Sequence, residues 1–207
     1  MLRLLALALP LLAADVRGYK HVGGRNGIEV FRNMASSVID LYAEGDFAAP
    51  PQLVREVLLD YDIAPKITDN VAESRVLVRN DHEVVTYQRL KLPVISDRDF
   101  TVRATWGHRG QALTMQFAVD NSRGPEPHEG IVRMSLLQGT WLLEPRQDGA
   151  ATHARYHVQI DLAGDVPRWM VSGGAAKNLP KVFEGVRREA AVRMAGTPMA
   201  GRNRVVR

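Results

Sequence analysis

From Glu73 to Leu162, apolar and polar residues alternate along most of the sequence, and this alternation limits the possible fold more than any other feature. Residues 113–120 place apolar side chains at every second position: Leu113, Met115, Phe117 and Val119. Residues 152–162 repeat the pattern with Ala154, Tyr156, Val158, Ile160 and Leu162. Because successive side chains of a strand point to opposite faces, each strand has one apolar and one polar face. The pattern predicts an antiparallel sheet that is covered on one face only.

Turn-forming residues interrupt the alternation and divide it into separate strands. They occupy residues 79–81, 107–111, 122–130 and 146–149. Before this region, residues 27–33 and 37–47 predict two paired strands. Residues 49–61 then predict one short amphipathic helix, opened by Pro50 and Pro51. The predicted sheet therefore has about seven strands.

The segment from residue 165 to 196 predicts a long C-terminal helix, with Asp165 placed to cap its start. Its apolar stripe consists of Leu179, Val182, Phe183, Val186, Ala190 and Met194. Three residues are expected to kink it, namely Gly173, Gly174 and Pro180. A sheet of this size curls, and one helix laid across it does not fill the enclosed space. The sequence thus predicts an α+β fold, a curved antiparallel sheet wrapped around a long C-terminal helix, with an internal hydrophobic cavity.

The composition excludes several kinds of function. The sequence contains no cysteine, so disulfides, thiolate metal sites and a thiol nucleophile are absent. The net charge is +4, but the basic residues are scattered and form no nucleic-acid recognition motif, so we expect no nucleic-acid partner. The basic residues 199–207 predict a disordered tail with a weak attraction to anionic membrane surfaces.

Residues 1–18 have the features of a secretory signal peptide. Arg3 supplies a positive start, residues 4–12 form an apolar run, and two alanines provide the small residues before a cleavage site. The run is shorter than the roughly 20 apolar residues that cross a membrane. The sequence predicts a periplasmic or secreted protein whose single domain spans residues 19–198. An uncleaved anchor and a buried N-terminal helix are the alternatives.

Four segments carry a resemblance to a known family: LPVISDRDF (92–100), EGIVRMSLLQGTWLLEP (129–145), YHVQIDLAGDVPRWMV (156–171) and LPKVFEGVRREA (179–190). Together with the order of elements, they are similar to the START domain, the steroidogenic-acute-regulatory-related lipid-transfer domain of the helix-grip class. The similarity extends over most of the predicted domain. It implies a hydrophobic tunnel that holds one lipid or sterol, is closed by the C-terminal helix and neighbouring loops, and requires no cofactor.

The charged run Asp97-Arg98-Asp99 lies in a stretch that otherwise forms core. On an extended strand the two aspartates point away from the face that carries Arg98, so neither pairs with it directly. A buried guanidinium needs a carboxylate or carbonyl groups as partners. Two roles remain open for Arg98: an anchor that fixes the strand to a loop, or the polar end of the tunnel. The resemblance also implies a cavity-facing arginine near Arg103, but with a one-residue offset that turns Arg103 outward unless a bulge intervenes.

Further side chains are candidates for lining the tunnel, with plain core packing as the alternative. They are Tyr87, Trp106, Met115, Phe117, Met134, Trp141, Tyr156 and Met170. Trp169 stands at the start of the predicted lid helix, where an aromatic ring can contact both ligand and membrane interface. His153 and His157 are spaced as metal ligands only on a helix. On a strand they lie about 13 Å apart, so no metal site is expected.

Three functions fit the sequence. The first is non-enzymatic binding and transfer of a lipid, sterol or similar hydrophobic molecule by a monomer that contacts membranes transiently. The second is an enzyme, because the superfamily that the chain resembles includes polyketide cyclases and aromatases, although no general base is evident on the apolar faces. The third is a quinone-binding helper of a membrane complex. We expect the first, without a cofactor.

Overall fold

The computed structural model of the chain describes residues 18–167 and 173–196. Residues 1–17 of the predicted leader, the basic tail, Trp169 and Met170 lie outside these residues. The domain boundaries and the roles of these two side chains therefore stay predictions. No helix among the described residues is both long enough and apolar enough to span a membrane.

One sheet of ten strands dominates the described part of the chain. The strands are β1 Tyr19–Arg25, β2 Ile28–Asn33, β3 Ile39–Phe47, β4 Val71–Arg79, β5 Glu83–Leu90, β6 Arg98–Arg109, β7 Ala112–Val119, β8 Val132–Arg133, β9 Leu136–Arg146 and β10 Ala151–Asp161. Their order is β1-β2-β3-β10-β9-β7-β6-β5-β4, with antiparallel neighbours throughout. Strand β8 pairs in parallel with β6. The curved sheet and C-terminal helix confirm the predicted α+β helix-grip fold.

The strand count exceeds the prediction by about three. One additional strand arises because residues 91–97 separate β5 from β6, where no turn was predicted, and two others carry little alternation. Strand β1 lies at the edge of the sheet, and all its side chains are exposed or half-buried. Strand β8 has only two residues. A strand with no buried face, or with too few residues to alternate, gives no period-two signal.

Three α-helices accompany the sheet in the described residues: α1 Pro51–Leu59, α2 Ala64–Ile67 and α3 Ala175–Gly196. Helix α1 confirms the predicted amphipathic helix, and its apolar side buries Val54 and Val57. The sequence did not predict α2. Residues 165–167 are not helical, so the predicted capping role of Asp165 is wrong. The backbone just before them turns through positive φ at Ala163 and Gly164, which favours a loop rather than a helix start.

The apolar stripe of α3 packs against the inner face of the sheet. Its buried members are Leu179, Phe183, Val186 and Ala190, as predicted. Met194 differs from the prediction, because it lies in the last turn and is 41% exposed. Phe183 stacks on Phe47 of β3, with ring centroids 5.5 Å apart, and lies 5.1 Å from the ring of Trp141 on β9. These contacts fix α3 across the middle of the sheet.

Strand β6 shows which side chains face inward. Phe100, Val102 and Ala104 are buried on its inner face. The register with β5 and β7 runs without a shift, so no bulge changes the alternation. Arg103 consequently lies on the outer face, where it is half-exposed and pairs with Glu83. The expectation that Arg103 lines the tunnel is therefore wrong, and the one-residue offset explains why.

Candidate functional site

A cavity of about 180 Å³ lies between the inner face of the sheet and the helices. The sheet contributes Val71, Gln88, Phe100, Val102, Met115, Phe117, Leu137, Trp141 and Tyr156. The helices and the turns beside them contribute Val57, Leu58, Asp60, Tyr61, Ala64, Ile67, Thr68, Val182 and Val186. Most of these side chains are apolar or aromatic, which is typical of sites that bind hydrophobic small molecules.

Four of the residues selected from the sequence meet at one wall of this cavity: Met115, Phe117, Trp141 and Tyr156. The register explains their proximity, because Trp141 of β9 lies opposite Met115 on β7 and opposite Tyr156 on β10. The ring of Tyr156 stacks 4.1 Å from that of Trp141 and 6.1 Å from that of Phe117. Three neighbouring strands thus build a continuous aromatic surface.

Three other selected residues do not line the cavity. Trp106 packs against the core from further along β6, and Met134 is fully buried in the core beside β8. Tyr87 lies on the outer face of β5, and its hydroxyl donates a hydrogen bond to Asp99 at 3.1 Å. The three corrections have different causes. Trp106 lies too far along β6, Met134 lies between β8 and β9, and Tyr87 lies on the face of the sheet opposite the cavity.

Arg98 is 2% exposed and is not among the cavity-lining residues. Its guanidinium donates to the carbonyl oxygens of Leu162 and Ala163, each at 3.0 Å, and to that of Ser96. Burial lowers the pKa of this guanidinium below its ordinary value. The bonds form the anchor between strand and loop that was one of the two roles predicted for Arg98.

Asp99 has its own partners on the opposite face of β6. Its carboxylate is 1% exposed and accepts two hydrogen bonds from Arg133, at 2.7 and 3.0 Å, besides the bond from Tyr87. These bonds raise the pKa of the Arg133 guanidinium. Asp97 is more exposed and lies 3.7 Å from Arg89. The three charges therefore make separate contacts. Arg98 and Asp99 point to opposite faces of β6, as the alternation predicts, and Asp97 lies just before this strand.

The residues that close the cavity between α1 and β4 were not predicted from the sequence. We call residues 60–68 the cover segment. It contains a short 3₁₀ turn and α2, and it supplies Tyr61, Ala64 and Ile67 to the cavity wall. The available signal was the pair of apolar residues at 61 and 64 beside Pro65, which is too short for a periodicity argument.

Three contacts hold the cover segment and its flank against α3. Arg193 pairs with Asp60, and Lys181 lies 3.1 Å from Asp69. Between them, Gly185 lets the two backbones approach closely: a Cβ atom at this position would lie 2.7 Å from the carbonyl oxygen of Ile67. Only a glycine permits this distance without displacing α2.

We expect Gly185→Ala to lower the free energy of unfolding by about 1–3 kcal/mol, because the added methyl group collides with backbone rather than with a flexible side chain. Denaturant unfolding measures the change. Gly196→Ala is the matched control, since a Cβ atom there meets nothing within 4 Å in the same helix. A Gly185→Ala protein as stable as the Gly196→Ala protein contradicts this packing argument.

Few polar groups reach the cavity. The amide of Gln88 donates to Ser74 at 3.0 Å, and the Asp60 carboxylate is held by Arg193. The Thr68 hydroxyl donates to the carbonyl oxygen of Ala64 at 3.4 Å, and the remaining hydroxyls are those of Tyr61 and Tyr156. Burial raises the pKa of both tyrosine hydroxyls, and the neighbouring Tyr61 raises that of Tyr156 further. Both phenols therefore stay protonated at physiological pH and remain able to donate.

The two histidines of β10 lie on the outer face, each paired with a carboxylate of β3. His153 lies 2.7 Å from Asp46, and His157 lies 2.8 Å from Asp40. Burial acts to raise the pKa of Asp40, but hydrogen bonds, chiefly from Tyr19 and His157, hold it below its usual value. In the described residues, no group of three or more His, Asp or Glu side chains is arranged to hold a metal ion.

The curved sheet, the long terminal helix and the cavity between them define a protein of the helix-grip class. Residues 47–187 match the sequence model of the family described as polyketide cyclase / dehydrase and lipid transport. Because this match spans more than half of the sequence, the chain belongs to that family. The predicted resemblance to START domains is also confirmed.

Solved structures share the fold. A STAR-related lipid transfer protein from Xanthomonas axonopodis matches with a TM-score of 0.76 and 23% identity over 84% of this chain and 99% of its own. Human StAR-related lipid transfer protein 5 matches with a TM-score of 0.76 and 17% identity over 89% of this chain and 91% of its own. The Zhui aromatase/cyclase from Streptomyces matches with a TM-score of 0.51 and 18% identity over 77% of this chain and 98% of its own. At these identities the likeness establishes the fold alone. No curated protein matches the sequence.

Proposed function

We propose that this protein binds one lipid, sterol or similar hydrophobic molecule in the cavity, without converting it, and exchanges it when the cover segment moves. The observation that carries the proposal is a largely apolar cavity closed by a short segment between α1 and β4 and by α3. Burial of roughly 400 Å² of apolar ligand surface contributes up to about 10 kcal/mol before ordering costs. Apolar contact is therefore sufficient for stable binding.

A lipid-sized ligand requires the cavity to widen. The cavity volume of about 180 Å³ is below the roughly 300–1,000 Å³ that is typical of small-molecule sites. The cover segment is the part of the wall with the least regular structure, since its 3₁₀ turn has three residues and α2 has four. Segments of this kind move on the microsecond to millisecond scale.

An enzyme of the cyclase or aromatase type is the second candidate. The family description includes cyclases and dehydrases, and the hydroxyls of Tyr61 and Tyr156 are proton donors inside the cavity. Against this, no histidine lines the cavity within the described residues, and the carboxylate of Asp60 is engaged by Arg193. Turnover of an aromatic polyketide mimic, lost on substitution of either tyrosine by phenylalanine, would favour the enzyme.

The proposal extends to location, because the predicted leader places the protein outside the cytoplasm. Fractionation of cells that express the full chain tests this step independently of ligand binding. Recovery in the periplasm or medium at a mass reduced by the leader supports it, and recovery of the uncleaved chain in the cytoplasm contradicts it.

A larger side chain in the cavity wall tests whether hydrophobic molecules bind there. In Ala64→Trp an indole replaces a methyl group that lines the wall, and we expect the variant to bind the neutral fluorescent probe Nile red at least about tenfold more weakly. Ala35→Trp is the matched control, because Ala35 is exposed and lies outside the cavity. Mass spectrometry of molecules extracted from the purified proteins gives a second measurement. Equal probe binding by both variants would place the ligand elsewhere.

A further inference from the structure

The five tyrosines of the chain fall into two groups according to their hydroxyl partners. Tyr19, Tyr42 and Tyr87 each donate to a carboxylate, at 2.7, 2.8 and 3.1 Å. Tyr61 and Tyr156 line the cavity, and neither hydroxyl has a hydrogen-bond partner anywhere in residues 18–167 and 173–196. Both side chains are only half-buried, so each hydroxyl is available to a ligand group that can donate or accept a hydrogen bond.

The charges around the cavity point to the kind of group that fits. No lysine, arginine or histidine is among its lining residues in the described part of the chain. Its one carboxylate, Asp60, is already paired with Arg193 at the α3 side. Within the described lining, an anionic head group would therefore meet no cation in direct contact, and a cationic head group would meet only a carboxylate that is already paired.

We infer that the ligand is an uncharged molecule with a hydroxyl or carbonyl group that hydrogen-bonds to Tyr61 and Tyr156. This inference rests on the proposed function and narrows it to a class of ligand. A phenol both donates and accepts, so it satisfies either group. Tyr61 belongs to the cover segment and Tyr156 to the sheet, so a ligand bonded to both links the two elements and stabilises the closed state.

The experiment compares four ten-carbon compounds as competitors of Nile red on the full chain at pH 8: decan-1-ol, 2-decanone, decanoate and n-decane. Because one net hydrogen bond corresponds to about a 3- to 10-fold change in affinity, we expect the alcohol and the ketone to bind that much more tightly than n-decane. Decanoate, with the same chain and a negative charge, is expected to compete more weakly than decan-1-ol.

The double variant Tyr61→Phe/Tyr156→Phe keeps both rings and removes both hydroxyls. We expect its preference for decan-1-ol over n-decane to fall below about twofold, while n-decane binds as before. Tyr42→Phe is the control, because its hydroxyl bonds to Glu44 away from the cavity. Thermal melting of each protein checks that it is folded.

The outcomes separate this inference from the proposed function. If decanoate competes best, or if the double variant keeps the full preference for the alcohol, the neutral-ligand inference is wrong although the cavity still binds hydrophobic molecules. If neither Nile red nor any of the four compounds binds, the proposed function itself fails.

Discussion

Arg98→Leu is expected to lower the free energy of unfolding by about 2–5 kcal/mol, because it leaves the carbonyl oxygens of Ser96, Leu162 and Ala163 without their donor. All three belong to loops that meet at the start of β6. A buried acceptor that loses its partner costs about 1–3 kcal/mol, and the shorter leucine recovers part of this through apolar contact. Each kcal/mol corresponds to about 2–4 °C in melting temperature for a domain of this size.

Arg103→Leu provides the control for Arg98→Leu on the same strand. Arg103 has the same charge but is half-exposed, and Glu83 keeps a second partner in Arg123 when Arg103 is removed. Its loss is expected to change stability by less than about 1 kcal/mol. An unchanged melting temperature for Arg98→Leu, combined with lost Nile red binding, would instead assign Arg98 to the ligand.

The anchor role also connects the start of β6 to the chain that leads toward α3. Two of the carbonyls that Arg98 binds, those of Leu162 and Ala163, directly follow β10, and the chain continues from them through residues 164–167. The backbone leaves the extended conformation there, with positive φ angles at Ala163 and Gly164. A single buried side chain thus fixes the point from which the segment before α3 departs.

Periodicity was sufficient to predict the parts of the fold that depend on burial. Strand β7 spans eight residues with one apolar face, so the sequence predicted its inner side chains and, to within one residue, its limits. The same reasoning identified the buried stripe of α3 through Phe183. The residue pattern within one element determines which of its side chains are buried, so residues that are close in the sequence are sufficient for this prediction.

Prediction of the cavity requires contacts between residues that are distant in the sequence. Tyr61 lines the cavity because a seven-residue stretch of short helical turns folds back over the sheet, and such a stretch is too short to show a periodic pattern. Tyr87 was misplaced for a related reason: it is buried, but on the outer face, where Asp99 links its hydroxyl to Arg133 of β8. A sequence indicates which residues are buried, whereas the packing of several elements determines what each buried side chain contacts.

Asp99→Leu is expected to lower the free energy of unfolding by about 3–5 kcal/mol, because it removes one partner of a largely buried ion pair. The Arg133 guanidinium, 18% exposed, keeps only the carbonyl oxygens of Pro125 and Glu126, and the hydroxyl of Tyr87 loses its acceptor. Asp97→Leu is the matched control two residues away, since the carboxylate of Asp97 is more exposed and lies 3.7 Å from its cation. We expect that change to cost about 0–1 kcal/mol.

A double-variant cycle distinguishes the lost pair from simple misfit of the new leucine. Asp99→Leu/Arg133→Met removes both charges, so no unpaired guanidinium is left beside Tyr87, and the double variant is expected to be more stable than Asp99→Leu alone. Urea unfolding of the four proteins gives the coupling free energy between the two sites. Additive losses from the two substitutions would show that the charges act independently, and the contact between Asp99 and Arg133 would then not be what holds the loop before β8 against β6.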